Sequence, residues 1–140
     1  MRIVLAVDGS PMAARAARHV AKLAARFQPP PRIVLLTVDP PMMPGVERKI
    51  GKATVQKIHE ANTDEALRDA RAILDKAGVA YEERRIIGEV APSIIEACGK
   101  APCDLLVMGS RGRGALKSAV LGSVALKILA GSKVPVTLVR

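Results

Sequence analysis

Short, unbroken apolar runs alternate along this chain with longer stretches whose apolar positions recur every three or four residues. The first run, Arg2 to Asp8, reads Arg-Ile-Val-Leu-Ala-Val-Asp, the continuous hydrophobicity of a strand buried on both faces. Asp8-Gly9-Ser10-Pro11 then turns the chain, with Ser10 placed to cap a helix and Pro11 suited to its first position. Met12 to Phe27 has helical spacing. Ala13, Ala16, Ala17, Val20, Leu23, Ala24 and Phe27 face inward, and Arg15, Arg18, His19, Lys22 and Arg26 form a polar, solvated stripe. Prolines 29 to 31 end it, and Arg32 to Asp39 is a second buried strand.

Pro40 to Gly45 reads as a long turn, a flap beside a ligand. Val46 to Ala77 follows as helix, broken near Gly51, with Leu67, Ala70, Ile73, Leu74 and Ala77 inward and Gly78 as its stop. His59 lies in the polar part of this helix and reads as a surface residue. Val79 to Ile87 is a more polar strand, nearer an edge. A helix spans Ser93 to Lys100, a strand 104 to 108, a helix Leu116 to Ala130 and a last strand Val134 to Val139. Five strands alternating with about four helices call for one α/β domain: a parallel sheet covered by helices on both faces, joined by right-handed crossovers. Ligands of such sheets sit beyond the C-terminal strand ends, where strand order reverses. Asp8, the Val38-Asp39 end of the second strand, and Gly109 to Gly112 after the fourth all fall there.

The last of these is the strongest chemical motif. Asp104-Leu105-Leu106-Val107-Met108 leads into Gly109-Ser110-Arg111-Gly112-Arg113-Gly114, and Leu121-Gly122-Ser123-Val124 opens the next helix. Glycines allow close backbone approach, and a helix N-terminus supplies unpaired N–H donors and partial positive charge. Arg111, Arg113 and Lys117 add groups that pair with phosphate oxygens. The spacing G-x2-G-x9-G-S departs from a P-loop, and Lys117 stands where the third glycine of a dinucleotide fingerprint belongs.

Composition narrows the function. At 140 residues, 49% hydrophobic and 25% charged, this is one globular domain with an aliphatic core. One Phe, one Tyr and no Trp argue against a stacking-type single-strand nucleic-acid binder. The net charge of +9 is scattered over the chain, which suits solubility and a phosphate ligand; nucleic acid is not the expected partner. Cys98 and Cys103 do not make a metal site, and Cys98 reads as a small core residue. No leader and no apolar run of bilayer-spanning length are expected, so no membrane partner is either, and the expected compartment is the cytoplasm. There is no nucleophile–base pair, and Asp8 is the only carboxylate the topology clearly places at the cleft. No catalytic residue is assigned, and the protein is not expected to be an enzyme.

Val4-Leu5-Ala6-Val7-Asp8-Gly9-Ser10, the glycine loop, Leu121-Gly122-Ser123-Val124 and Pro135-Val136 together resemble the universal stress protein family, the UspA-like domains, over the whole chain. The loop spacing is that of the family's ATP-binding branch. The resemblance implies a Rossmann-like three-layer α/β/α domain with a five-stranded parallel sheet in the order 3-2-1-4-5. It implies ATP, or AMP or ADP in its place, with Mg²⁺. By motif, Ala6, Val7 and Asp8 with Ser10 would line the adenosine side, Asp8 lying near the ribose or the metal. Val38 would pack near adenine and offer backbone contacts, Met108, Gly109 and Ser110 would underlie the nucleotide, and Arg111, Gly112 and Arg113 would wrap the phosphates. Gly122, Ser123 and Val124 would donate N–H groups and a hydroxyl. Ala125 stands where many relatives carry a second hydroxyl, so one phosphate hydrogen bond is missing. A homodimer paired through residues 134–139 would cover an apolar sheet edge. The resemblance implies a nucleotide-dependent stress or signalling protein. The alternatives are the family's non-nucleotide interaction modules, a basic nucleic-acid-associated protein, and an enzyme of the nucleotidyl-transferase superfold. The last lacks its His-x-Gly-His motif here, since that position reads Asp8-Gly9-Ser10-Pro11.

Overall fold

The central strand is the first in sequence: β1 (Arg2–Ala6) lies between β2 (Arg32–Asp39) and β4 (Leu105–Gly109). β3 (Tyr81–Ile87) flanks β2 and β5 (Val136–Val139) flanks β4, giving an all-parallel sheet in the order β3-β2-β1-β4-β5. The computed structural model describes residues 1–114 and 120–140. The helices are α1 (Pro11–Ala24), α2 (Val46–Ile50), α3 (Lys52–Lys76), α4 (Val90–Gly99) and α5 (Ser123–Gly131). This is a single α/β domain with the parallel sheet expected from the alternation of runs and the strand order the family resemblance implies.

The two-residue period of the buried strands sorts their side chains onto two faces. Ile3, Leu5, Ile33, Leu35 and Val107 meet Ala16, Ala17 and Val20 of α1 and Leu67, Ala70 and Leu74 of α3. Val4, Ala6, Val34, Leu36, Leu106 and Met108 meet Ala91, Ile94 and Ala97 of α4 and Ala125 and Ile128 of α5. Leu5 and Leu35 are fully buried, and each such side chain contributes about 1.5–3 kcal/mol of transfer free energy. The alanines of α1 bring that helix's backbone close to the sheet. Cys98 is buried in the second layer, and burial with the neighbouring Cys103 thiol pushes its pKa up to about 12; it behaves as core.

Element ends differ from the sequence expectation for local reasons. α1 stops at Ala24, and Arg26 and Phe27 turn back onto the carbonyls of Leu23 and Ala24. Phe27 therefore lies outside the core at 39% exposure. β3 begins at Tyr81 because the Val79 N–H is spent on Leu74 O (3.0 Å), in a helix stop built on Gly78 at φ 66°. α4 starts at Val90, with Pro92 in its first turn, where a missing N–H costs no bond. The break at Gly51 is present, with φ 86°. The helix expected from Leu116 begins, among the described residues, at Ser123 and runs to Gly131; residues 115–119, with Lys117, lie outside those described. β5 is shorter than expected, since Val134 N–H is held by Ser132 Oγ (3.2 Å).

Candidate functional site

The C-terminal ends of β2, β1 and β4 open into one cavity of about 780 Å³. That volume suits a small-molecule site. Its wall is assembled from three connections.

The first follows β1. Asp8 Oδ1 accepts the Ser10 N–H (2.9 Å), and Oδ2 accepts the Arg113 N–H (3.2 Å) from the glycine loop. The carboxylate thus ties the β1–α1 turn to the loop after β4. Gly112 comes so close that a Cβ on it would lie 2.6 Å from Asp8 Oδ2. Ser10 is buried, and its Oγ accepts the Ala13 N–H (3.2 Å), capping α1. Gly9 at φ 79° makes the turn, and the Arg113 guanidinium lies over it. That guanidinium also sits 3.9 Å from Glu65 Oε1 of α3.

The second connection joins β4 to α5. Gly109 is a packing position: a Cβ there would lie 2.7 Å from Met12 Cβ and 2.9 Å from Met12 C, so the first turn of α1 rests on the strand end. Ser110 donates its N–H to Val139 O (2.8 Å), while its own carbonyl accepts the Gly122 N–H (2.8 Å). This corrects one expectation: the Gly122 amide is committed to closing the loop and is not available to a ligand. Gly122 is the N-cap of α5 in extended conformation and brings no side-chain cap. The first helical amide to bond is that of Leu126, onto Gly122 O (3.0 Å). The amides of Ser123, Val124 and Ala125 precede it in the helix's first turn, and all three residues line the cavity. Ser110 Oγ, in a residue only 1% exposed, has no hydrogen-bond partner among the described residues, and Ser110 lines the same wall.

The third connection leaves β2. Thr37 Oγ1 donates to Val7 O (2.9 Å) and locks the two strand ends together. Asp39 Oδ2 receives His59 Nδ1 (2.6 Å) and Asn62 Nδ2 (3.1 Å) from α3. The His59 side chain is 12% exposed and that of Asp39 16%. His59 is therefore a half-buried partner of a cavity carboxylate, not the surface residue its polar surroundings suggest. Asp39 likewise joins Asp8 as a carboxylate at the cleft. Thr63, buried behind Asn62, donates its hydroxyl to His59 O (2.8 Å) and accepts from Arg85 (3.2 Å).

Every described residue expected at the site lines this cavity, from Ala6 and Val38 on one side to Arg111, Ser123 and Val124 on the other, and Lys117 lies outside the described residues. Thr37, Asn62 and Thr63 line the cavity too and were missed, and Asp39, whose strand end was placed at the cleft, was left out of the site residues. The strand-end position of Asp39 was a usable signal. Asn62 and Thr63 arrive from a helix whose charge alternation marks only a solvated face. Among the described residues no group of three or more His, Cys, Asp or Glu side chains could hold a metal ion. No helix among them is long and apolar enough to cross a membrane.

The profile of the universal stress protein family matches residues 1–140. A universal stress protein of Thermus aquaticus is 33% identical over 139 residues, covering 99% of this chain and 97% of its own. One from Methanocaldococcus jannaschii is 27% identical over 139 residues, covering 99% and 81%. Among solved structures, a universal stress protein crystallised with cAMP superimposes with a TM-score of 0.72 at 26% identity, covering 100% of this chain and 97% of that one.

Proposed function

The chain belongs to the universal stress protein family, and from that premise we propose that it binds an adenine nucleotide, ATP or its AMP or ADP relatives, as a nucleotide-dependent signalling dimer. The observation that carries the reading is the start of α5: three amides precede the first intrahelical bond, and among the described residues no side chain caps them and the buried Ser110 hydroxyl on the same wall has no partner. An anionic, oxygen-rich group satisfies all of these at once. Arg111 and Arg113 line that end of the cavity and supply positive charge for phosphate oxygens. The related structure with cAMP supports the adenine nucleotide class. Mg²⁺ would enter on the phosphates, with Asp8 the carboxylate at that end, since each of its oxygens takes only one backbone N–H. Hydrolysis is at most slow in this reading, because among the described residues Asp8 is the carboxylate lining the phosphate end, and Asp39 is held by His59 at the β2 end. The compartment in this reading is the cytoplasm.

The proposed dimer pairs β5 with its copy. Leu106 donates to Pro135 O and Ser110 to Val139 O, so by alternation Val136 and Leu138 turn their backbone groups to the open edge. Exposed Leu126 and Leu129 of α5 add apolar surface. Leu138→Pro removes an open-edge N–H and should shift the sedimentation profile toward monomer; an unchanged dimer would refute pairing through β5.

The nucleotide reading is tested by denaturing protein purified without added nucleotide, chromatographing the released fraction beside adenine nucleotide standards, and titrating the stripped protein with ATP and Mg²⁺. Saturable micromolar binding is expected, and Gly122→Val should abolish it while the protein stays folded. Unchanged affinity in that variant would sink the phosphate assignment.

A further inference from the structure

We infer that Asp39, held by His59 and Asn62, selects the base of the bound nucleotide by accepting a hydrogen bond from its exocyclic amino group. The inference rests on the nucleotide reading above and adds a recognition residue to it. The anion-seeking end of the cavity lies past β4, at the start of α5. Asp39 lies past β2, on the other side of β1. Two strand spacings separate those ends, about 10 Å. With phosphate anchored at α5 and ribose over the end of β1, the part of the ligand that reaches β2 is the base. Val38, Pro40, Val90 and Ile94 line the cavity at that end and give it apolar walls.

Asp39 brings a specific chemistry to those walls. His59 Nδ1 and Asn62 Nδ2 both bond its Oδ2, at 2.6 and 3.1 Å. Oδ1 takes no hydrogen bond among the described residues, and Asp39 lines the cavity. An ionised carboxylate oxygen only accepts. A base edge carrying an N–H₂ group completes it. A base edge without a donor leaves a partly desolvated carboxylate oxygen unpaired, and sites built to bond a group reject analogues that lack it. The two donors on Oδ2 fix which oxygen faces the ligand, so His59 and Asn62 act as positioning residues.

The same two donors make Asp39→Asn a sharp test. The carboxamide oxygen would be drawn to His59 and Asn62, turning the N–H₂ toward the cavity and replacing an acceptor by a donor. The experiment is calorimetric titration of wild type and Asp39→Asn with AMP, with purine riboside 5′-monophosphate, which has hydrogen in place of the 6-amino group, and with dAMP. Wild type should prefer AMP over the deamino analogue by about tenfold or more. In Asp39→Asn that ratio should fall to about one, while the AMP-to-dAMP ratio stays as in wild type. A purely structural role would weaken all three ligands equally and leave the ratios intact, which overturns the inference. Collapse of the AMP-to-dAMP ratio in place of the amino ratio would move the acceptor to the ribose and also overturn it. The wild-type ratio is decisive even if the variant fails to fold: equal affinity for AMP and its deamino analogue overturns base selection while leaving nucleotide binding standing. Binding of none of the three by wild type removes the nucleotide reading itself.

Discussion

Helices α1 and α5 both begin at the cavity, one after the central strand and one after its neighbour, and their first turns are finished in opposite ways. α1 is closed by its own sequence. Ser10 Oγ takes the Ala13 amide, Asp8 takes the Ser10 amide, and Pro11 at the first helical position has no amide to satisfy. α5 begins at Gly122, whose N–H goes back to Ser110 and which has no side chain to offer the turn ahead. Of these two helices, α1 has a side-chain cap and α5, among the described residues, has none. A helix N-terminus alone therefore does not mark an anion site; an end that the protein declines to cap, beside a buried hydroxyl with no partner, does.

The largest effect should come from making α5 resemble α1. Gly122→Asp introduces an N-cap carboxylate at φ −77° and ψ 160°, a conformation any residue adopts. Its Cβ would lie 3.2 Å from Arg111 Cα, requiring only a small shift. The carboxylate would occupy the amides and repel phosphate, so ATP affinity should fall by about 100-fold or more while the melting temperature changes little. Calorimetry and thermal unfolding on one preparation check this. Retained affinity would mean that α5 does not hold the phosphates.

Asp8→Asn should come next. Asp8 links the two helix entries by taking one amide from each connection. A carboxamide oxygen can keep one of these bonds, but its N–H₂ cannot accept the other. The Gly112–Arg113 loop should loosen, and nucleotide affinity should drop by about tenfold, the difference between a charge-assisted and a lost hydrogen bond. Restored affinity in Asp8→Glu would argue that the charge matters more than the clamp geometry, and would weaken the view of Asp8 as a tether.

A smaller effect is expected of Ser110→Ala. Its hydroxyl is buried and has no partner among the described residues, so its removal relieves a desolvation cost in the free protein. Stability should stay level or rise by about 1 kcal/mol, while ATP affinity falls by about threefold to tenfold. Opposite signs in the two measurements are the mark of a group kept for a ligand. A fall in stability instead would show that the hydroxyl serves the fold.

Much of this was readable in the chain. The parallel sheet follows from apolar runs that only a sheet covered on both faces can bury, its strand order came from the family resemblance, and the Ser10-Pro11 cap follows from side chains that act on their own next turn. The loop glycines were legible as positions of close approach, yet what approaches them is partly the protein itself: Met12 at Gly109 and the Asp8 carboxylate at Gly112. Sequence spacing cannot tell a ligand from a neighbouring strand. The Asp39–His59–Asn62 group was hidden for a related reason. It joins residues 20 and 23 positions apart through the packing of α3 over β2, and helix charge patterning reports which residues meet water, not which meet a distant strand end.

The smallest expected change in affinity returns to α1 and sharpens the contrast. Ser10 lines the cavity, and the resemblance counts it among the nucleotide contacts, but its Oγ is spent on the Ala13 amide. Ser10→Ala leaves that buried amide without its acceptor and should cost about 1 kcal/mol of stability, within the range of N-cap losses. The Ser10 backbone N–H still reaches Asp8, so the tether to the glycine loop survives. ATP affinity should then change far less than in Gly122→Asp, by about twofold at most. If chemical denaturation instead showed wild-type stability and titration a large loss of binding, the capped helix would be the ligand's helix and the assignment of the two N-termini would have to be exchanged.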